Sequence, residues 1–268
     1  MATAIITGGS SGLGLLFADR LASEGNDLVL IARDKNKLHK VASQLADIYG
    51  VKVDAINTDL SEPNNIEKLV KLIGQTKDLA YMVNNAGFAT HITADDNSRK
   101  AHEIHHNALV VMGLNTAIFS AAAASVMKKQ NSGHIINISS TASWTFQGSY
   151  SAIKGYVRIY TESLAIQLEG TNVTATAVCP AWMHTNFHAA AGLGEPAIPE
   201  WLYVNPSQVV DQALRGVRQG KRLVVPTLRW RFIIWCVIHG PAGLGRAISR
   251  KYMKTKNYHK NQKGKNHE

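Results

Sequence analysis

The chain has 268 residues, 45% of them hydrophobic and 18% charged, a composition ordinary for a soluble protein and a length that suits one α/β domain with a full core. Its two cysteines, Cys179 and Cys236, exclude a disulfide framework and a cysteine-based metal site, and they suggest a reducing compartment. The net charge of +10 belongs to the end of the chain. From Lys221 onward there are twelve lysines and arginines against one acid, Glu268, whereas the preceding residues hold 17 basic and 18 acidic side chains.

Met1–Gly9 carries no basic leader and runs straight into a strand, so no signal peptide is expected and the expected compartment is the cytoplasm. No run reads as approaching the roughly 18 apolar residues of a membrane span. Short β-branched runs at Thr3–Thr7, Asp27–Ala32, Lys52–Asn57, Leu79–Asn84, Gly133–Ser139, Asn172–Cys179 and Arg222–Pro226 predict seven strands. Helical patterns alternate with them at Leu13–Glu24, Lys35–Tyr49, Ile66–Thr76, Lys100–Lys129 and Tyr150–Gly170, and Gly25, Gly50 and Gly170 are natural stops. That alternation predicts a doubly wound, mostly parallel seven-stranded sheet in one domain over 1–228. Residues 229–268 form an apolar and then basic extension. Residues 182–205 read as one long connection, a length that tends to be functional.

The first strand leads into Thr7-Gly8-Gly9-Ser10-Ser11-Gly12-Leu13-Gly14, which opens the first helix. Glycines let the backbone turn tightly and approach a pyrophosphate at the positive helix N-terminus. Any strand-to-helix turn can use glycine, but here both neighbours are right. The second strand ends at Ala32 without an acid to hold a ribose 2′-hydroxyl, and Arg33 follows. A cation there suits a 2′-phosphate and hence NADP(H); the plainer reading is a solvated arginine paired with Asp34. Asp59-Leu60 after the third strand and Asn84-Asn85-Ala86-Gly87 after the fourth lie at carboxyl ends of strands, where ligands of such sheets bind.

Further on, Tyr150-Ser151-Ala152-Ile153-Lys154 sets a phenol and an ammonium four residues apart on one helix face. A nearby cation favours the phenolate, which lets Tyr150 exchange a proton near neutrality. Ser139 and Ser140 end the preceding strand, and either hydroxyl could bind a substrate oxygen.

With TGGSSGLG at 7–14, NNAG at 84–87 and YSAIK at 150–154, the chain resembles the short-chain dehydrogenase/reductase family over residues 3–227. The resemblance implies a nicotinamide-dependent oxidoreductase with a catalytic set of Asn107, Ser140, Tyr150 and Lys154. There the tyrosine exchanges the proton, the serine orients the carbonyl, the lysine binds the nicotinamide ribose and the asparagine holds a relay water. It implies cofactor contacts at Gly8, Ser10, Ser11, Gly12, Leu13, Gly14, Arg33, Asp59, Leu60, Asn85, Ala86, Gly87, Tyr150 and Lys154. The segment Cys179–Thr185 matches the family's PGxxxT pattern and adds Pro180, Trp182 and Thr185. Two departures stand out: Ala181 replaces the usual glycine, and the interval from Ser140 to Tyr150 is about three residues short, which keeps Ser139 as an alternative.

The expected function is NADP(H)-dependent interconversion of a carbonyl and an alcohol, in the reducing direction. Trp144, Phe146, Trp182, Met183, Phe187, Trp201, Leu202 and Tyr203 around the predicted loops suggest a bulky apolar substrate, though aromatic residues in a lid also simply pack. The rivals are an NAD-dependent alcohol dehydrogenase of the same family and a non-enzymatic cofactor sensor. The partner expected is a small carbonyl or alcohol, with assembly as a homo-oligomer. His102-Glu103-Ile104-His105-His106 matches the zinc-protease pattern HExxH but lies on a dinucleotide-fold helix, so no metal is expected. Asn137 and Asn172 begin glycosylation sequons and are expected in core strands. The apolar run Phe232–Ile238 with its arginines reads either as a helix covering the pocket or as a peripheral contact with an anionic membrane. Nucleic acid is not expected, because no recognition fold accompanies the charge.

Overall fold

In the computed structural model the described residues are 1–90, 92–93, 95–184, 199–241, 243, 245–247 and 249–250. Seven strands are present: β1 (Thr3–Thr7), β2 (Asp27–Ala32), β3 (Val53–Asn57), β4 (Leu79–Asn84), β5 (Gly133–Ile138), β6 (Val173–Val178) and β7 (Leu223–Val224). Between and after them run α1 (Gly12–Ser23), α2 (Lys35–Tyr49), α3 (Pro63–Gln75), α4 (Arg99–Ala108), α5 (Asn115–Lys129), α6 (Ser149–Gln167), α7 (Pro206–Arg218) and α8 (Leu228–His239). The strands pair in the order β3-β2-β1-β4-β5-β6-β7, and every pairing is parallel. This is the doubly wound sheet that the alternation predicts.

Continuous apolar runs make the central strands because both of their faces are covered. Ile5, Ile6, Leu30, Ile31, Ile135 and Ile136 are buried completely. On one face Phe17 and Leu21 of α1, Leu38 of α2, and Val210 and Leu214 of α7 share a core. On the other, Ile66 and Leu69 of α3, Phe119 and Met127 of α5, and Leu164 of α6 share a second. Chain order reverses between β1 and β4, where Thr7 lies beside Ile31 on one side and Asn84 on the other. A crevice at the carboxyl end of the sheet follows from that reversal.

The helix expected over Lys100–Lys129 is one continuous run from Arg99, in which a π turn at Leu109–Leu114 separates α4 from α5. Three sequence expectations need correction. Helix α7 was absent from the sequence reading, although Asn205 caps it, Pro206 opens it, and Val209, Val210, Ala213, Leu214 and Val217 recur at helical spacing. Asn172 is exposed in a bend before β6 rather than inside the strand. The stretch Arg99–Lys129 does contain a window of mean hydropathy 1.8, apolar enough for a span. Phe119, Ala123, Ala124 and Met127 of that stretch pack in the second core, which accounts for part of its apolar composition.

Candidate active site

Thr7 assembles the cofactor half. Its hydroxyl accepts from the backbone N–H groups of Asn85 and Ala86, both at 3.0 Å, and donates to Val83 O at 3.4 Å. The Asn85 amide returns to Thr7 O at 3.0 Å and Gly8 O at 3.3 Å. Four hydrogen bonds therefore hold the NNAG segment against the glycine turn. Gly8 has φ +68°, in the left-handed region. A Cβ on Gly14 would sit 2.2 Å from Gly8 O and 2.5 Å from Asn85 Nδ2, so only glycine lets α1 start this close.

The residues fit a dinucleotide pyrophosphate. Helix α1 begins after an extended Ser11 that makes no side-chain cap, so its hydroxyl leaves the first-turn N–H groups of Gly12, Leu13 and Gly14 uncapped at the positive end of the helix dipole. A Cβ on Gly12 would meet nothing within 4 Å, so the approach to that turn is open. Ser10 is buried and Ser11 half-buried beside it. Leu13 contributes only backbone, because its side chain lies in the core.

Arg33 is exposed at the end of β2, and its carbonyl accepts from Asn57 Nδ2 at 2.6 Å. Asp34 caps α2 by accepting from Lys37 N at 3.0 Å, which gives that carboxylate a role other than neutralising Arg33. The Ser61 backbone N–H and hydroxyl hold the Asp59 carboxyl below its ordinary range, and the Arg33 charge helps. Leu60 is buried, and its carbonyl accepts from Asn115 Nδ2 at 2.6 Å. Asn115 was missed in the sequence. It is 1% exposed and its Oδ1 has no hydrogen-bond partner among the described residues.

The catalytic half forms where β5, the short 3₁₀ turn Thr141–Trp144 and α6 meet. The two candidate serines separate by geometry. Ser139 is buried and its hydroxyl donates to Lys154 O at 2.7 Å, which ties α6 to the end of β5. Ser140 is half-buried, accepts from Ala142 N at 3.1 Å, and reaches Pro180 O at only 3.5 Å. Its hydroxyl is the one available to a substrate oxygen. Pro180 O also accepts from Thr141 N at 2.9 Å, which places the Pro180 segment beside this turn.

Tyr150 is half-buried, with the Lys154 ammonium 5.8 Å from its ring centre. Lys154 is 5% exposed and donates to Ile138 O at 2.7 Å. Burial lowers its pKa from 10.5 to about 8, which has a consequence for stability. Below about pH 8 both folded and unfolded chains hold the proton, and burial of the charge is fully felt. Between about 8 and 10.5 the unfolded chain binds more protons, so stability rises with pH. Urea unfolding of the cofactor-free protein across that window is expected to show the rise, and Lys154→Met to remove its share. An unchanged slope in the variant would assign the effect elsewhere.

Asn107 is half-buried in the last turn of α4, just before the π turn. Ala108 and Met112, on the same stretch, pack with Ile153 and Tyr150. Gly87 is exposed, and a Cβ there would lie 3.1 Å from Met112 Sδ. Trp182 packs on Trp230 of α8 with ring centres 5.3 Å apart, and Trp230 Nε1 donates to Leu202 O at 3.0 Å. Thr185 and Phe187 lie outside the described residues. Of the HExxH pattern, His102 pairs with Asn97 and Glu103 with Arg99, while neighbouring His105 pairs with Ser149, one residue before Tyr150. The buried Cys179 thiol is pushed up to about 12, chiefly by burial, and is not a nucleophile.

A parallel sheet with an open glycine turn at its switch point, and a tyrosine, lysine and serine gathered at the same carboxyl edge, defines a nicotinamide-dependent oxidoreductase. The chain belongs to the short-chain dehydrogenase family, whose description "short chain dehydrogenase" matches residues 2–195. An uncharacterized oxidoreductase of Staphylococcus aureus (strain N315) is 30% identical over 228 residues, covering 83% of this chain and 93% of that one. Among solved structures, a short-chain dehydrogenase from Sphingobium yanoikuyae in complex with NADPH is 28% identical with a TM-score of 0.79, over 87% of this chain and 92% of that one. The bulky-bulky ketone specific alcohol dehydrogenase from Comamonas testosteroni is 26% identical with a TM-score of 0.75, over 88% and 92%.

Proposed function

We propose that the protein uses NADP(H) to interconvert a carbonyl and an alcohol, working as a reductase on a bulky apolar ketone or aldehyde. What supports this reading is that Ser140, just after β5, and Tyr150 and Lys154 of α6, with the Lys154 ammonium 5.8 Å from the Tyr150 ring centre, lie toward the carboxyl end of the sheet that also carries the glycine turn. When bound, the nicotinamide supplies or accepts the hydride. The Ser140 hydroxyl holds the substrate oxygen, and the Tyr150 phenol gives it a proton in reduction or takes one in oxidation. The Lys154 charge favours the phenolate and lowers the cost of that transfer. Asn107, in the last turn of α4 next to Ala108, which belongs to the cluster that Tyr150 packs against, would hold the relay water.

Cofactor choice rests on Arg33, an exposed cation where an NAD-binding strand would end in an acid. The NADPH complex of the Sphingobium relative supports the same reading. Trp144, Trp182, Met183 and Leu202 pack at the margin of the core cluster that contains Trp230. They would form an apolar substrate wall, in keeping with the bulky ketones named for the Comamonas enzyme. Leu109, Leu114, Tyr156, Ile159 and Ile166 are exposed apolar side chains around α4–α6 and support assembly as a homo-oligomer.

A screen of aryl and alicyclic ketones, followed by loss of NADPH absorbance, tests the activity. Arg33→Ala is expected to weaken NADPH by about 2 kcal/mol, because a charge-assisted phosphate contact disappears, and to leave NADH within about twofold. Equal losses for the two cofactors would favour the rival reading, an NAD-dependent alcohol dehydrogenase.

A further inference from the structure

Helix α8 has two apolar faces, and only one is covered. Trp230 and Ile234 are buried toward the substrate wall. At 100° per residue, Leu228, Phe232 and Trp235 fall on the opposite side, and they are 78%, 66% and 57% exposed. Phe232 and Trp235 stack with ring centres 6.3 Å apart, so the stripe is one continuous surface. Arg231 and Arg229 flank it on either side, both exposed. Arg229 lies over the ring of Trp201, itself 59% exposed, and Arg231 is fixed by bonds to Val225 O and Gln212.

The cleft beside this stripe is basic. At the foot of α8, it is lined by Arg215, Lys221 and Arg231 along with Gln212 and Leu228, and no carboxylate lines it. The chain beyond α8 adds Arg246, Arg250 and six lysines from Lys251 to Lys265, against the single acid Glu268. We propose that α8 docks the protein on a bilayer of anionic phospholipid, with Leu228, Phe232 and Trp235 entering the acyl boundary and Arg229, Arg231 and the cleft meeting the headgroups, while the basic composition of the following segment adds long-range attraction.

Both components of such docking are present. Large apolar side chains gain by leaving water, and basic side chains gain near an anionic surface at low salt. Aromatic rings of tryptophan suit the interface between acyl chains and headgroups. A second copy of the chain is the weaker occupant on charge grounds. A two-fold contact would set this basic surface against its own like charge, whereas anionic lipid neutralises it.

The test uses the full-length protein with NADPH, sedimented with vesicles of phosphatidylcholine alone or with about one third phosphatidylglycerol. Pelleting with the anionic vesicles only is expected, together with release as salt rises from ~0.05 M to ~0.5 M. Phe232→Ser/Trp235→Ser should lower the partition at least about tenfold, with thermal midpoint and NADPH binding retained, because both residues are exposed and outside the site. A second variant, Lys251→Gln/Lys254→Gln/Lys256→Gln, keeps the stripe and should weaken both binding and its salt dependence. The blue shift of tryptophan emission on anionic vesicles should shrink in Trp235→Phe. The proposal is overturned if the full-length protein stays in the supernatant, or if the Phe232/Trp235 variant pellets equally. A halved mass of that variant in light scattering without vesicles would overturn it too, because a second copy would then own the stripe.

Discussion

Tyr150→Phe is expected to cut turnover at least about a thousandfold while leaving NADPH affinity within about twofold. Proton transfer by a placed side chain contributes roughly 10²–10⁴ in rate, and phenylalanine keeps the ring while removing the proton. The turn proposed to hold the pyrophosphate lies elsewhere, on Thr7, Asn85 and the first turn of α1, and phenylalanine keeps the Tyr150 ring, so binding and chemistry are expected to separate in this variant. Single-turnover oxidation of NADPH by a saturating ketone measures the chemistry, and fluorescence titration the binding. Turnover within tenfold of the parent would remove Tyr150 from the proton transfer. A parallel collapse of NADPH binding would show that the ring is needed for the fold of the site.

Gly14→Ala is expected to abolish cofactor binding and to destabilise the fold by about 3 kcal/mol, near the upper end of overpacking costs. The added methyl meets backbone at 2.2 Å and 2.9 Å, both atoms of Gly8, and backbone cannot step aside like a flexible side chain. Helix α1 must retreat from the turn, and the pyrophosphate loses its N–H groups. Gly74→Ala serves as the control, because Gly74 lies in α3 with nothing within 4 Å of the new methyl. There the helix gains about 1 kcal/mol of propensity. Urea denaturation of both variants, with and without NADPH, gives the comparison. A Gly14→Ala protein still stabilised by NADPH would refute the close-approach argument.

The sheet was legible because burial on both faces leaves long runs of branched apolar residues, and their order in the chain dictates parallel pairing. Glycine at 8, 12 and 14 and the Tyr150–Lys154 spacing were legible because local backbone geometry and helix periodicity write them directly into sequence. Helix α7 carried equally good local signals but was passed over within the approach to the last strand. The π turn could not be read, because an extra residue in a helix leaves its apolar composition unchanged. The roles of Thr7 and Ser139 were hidden for another reason. Each depends on a partner brought close only by tertiary pairing, Asn85 in one case and the Lys154 carbonyl in the other. The end of the chain is legible as apolar and basic, but which of its apolar side chains the core takes is not. Trp230 and Ile234 are buried while Leu228, Phe232 and Trp235 stay exposed, a division that only the packing of α8 against the rest of the protein sets.

The position of β1 has a consequence for how the chain is made. Strand β2 follows β1 closely, so a β3-β2-β1 half-sheet can form from the first sixty residues through local crossovers alone. The other neighbour of β1 is β4, and the bonds that Thr7 makes there span 76 to 79 positions. Until β4 emerges, the inner edge of β1 is bare, carrying Ile5 and Ile6, which are wholly buried in the finished protein. An unpaired apolar edge of this kind is a template for pairing with other chains. The pairing that fixes the glycine turn against Asn85 and Ala86 therefore also closes that bare edge of β1.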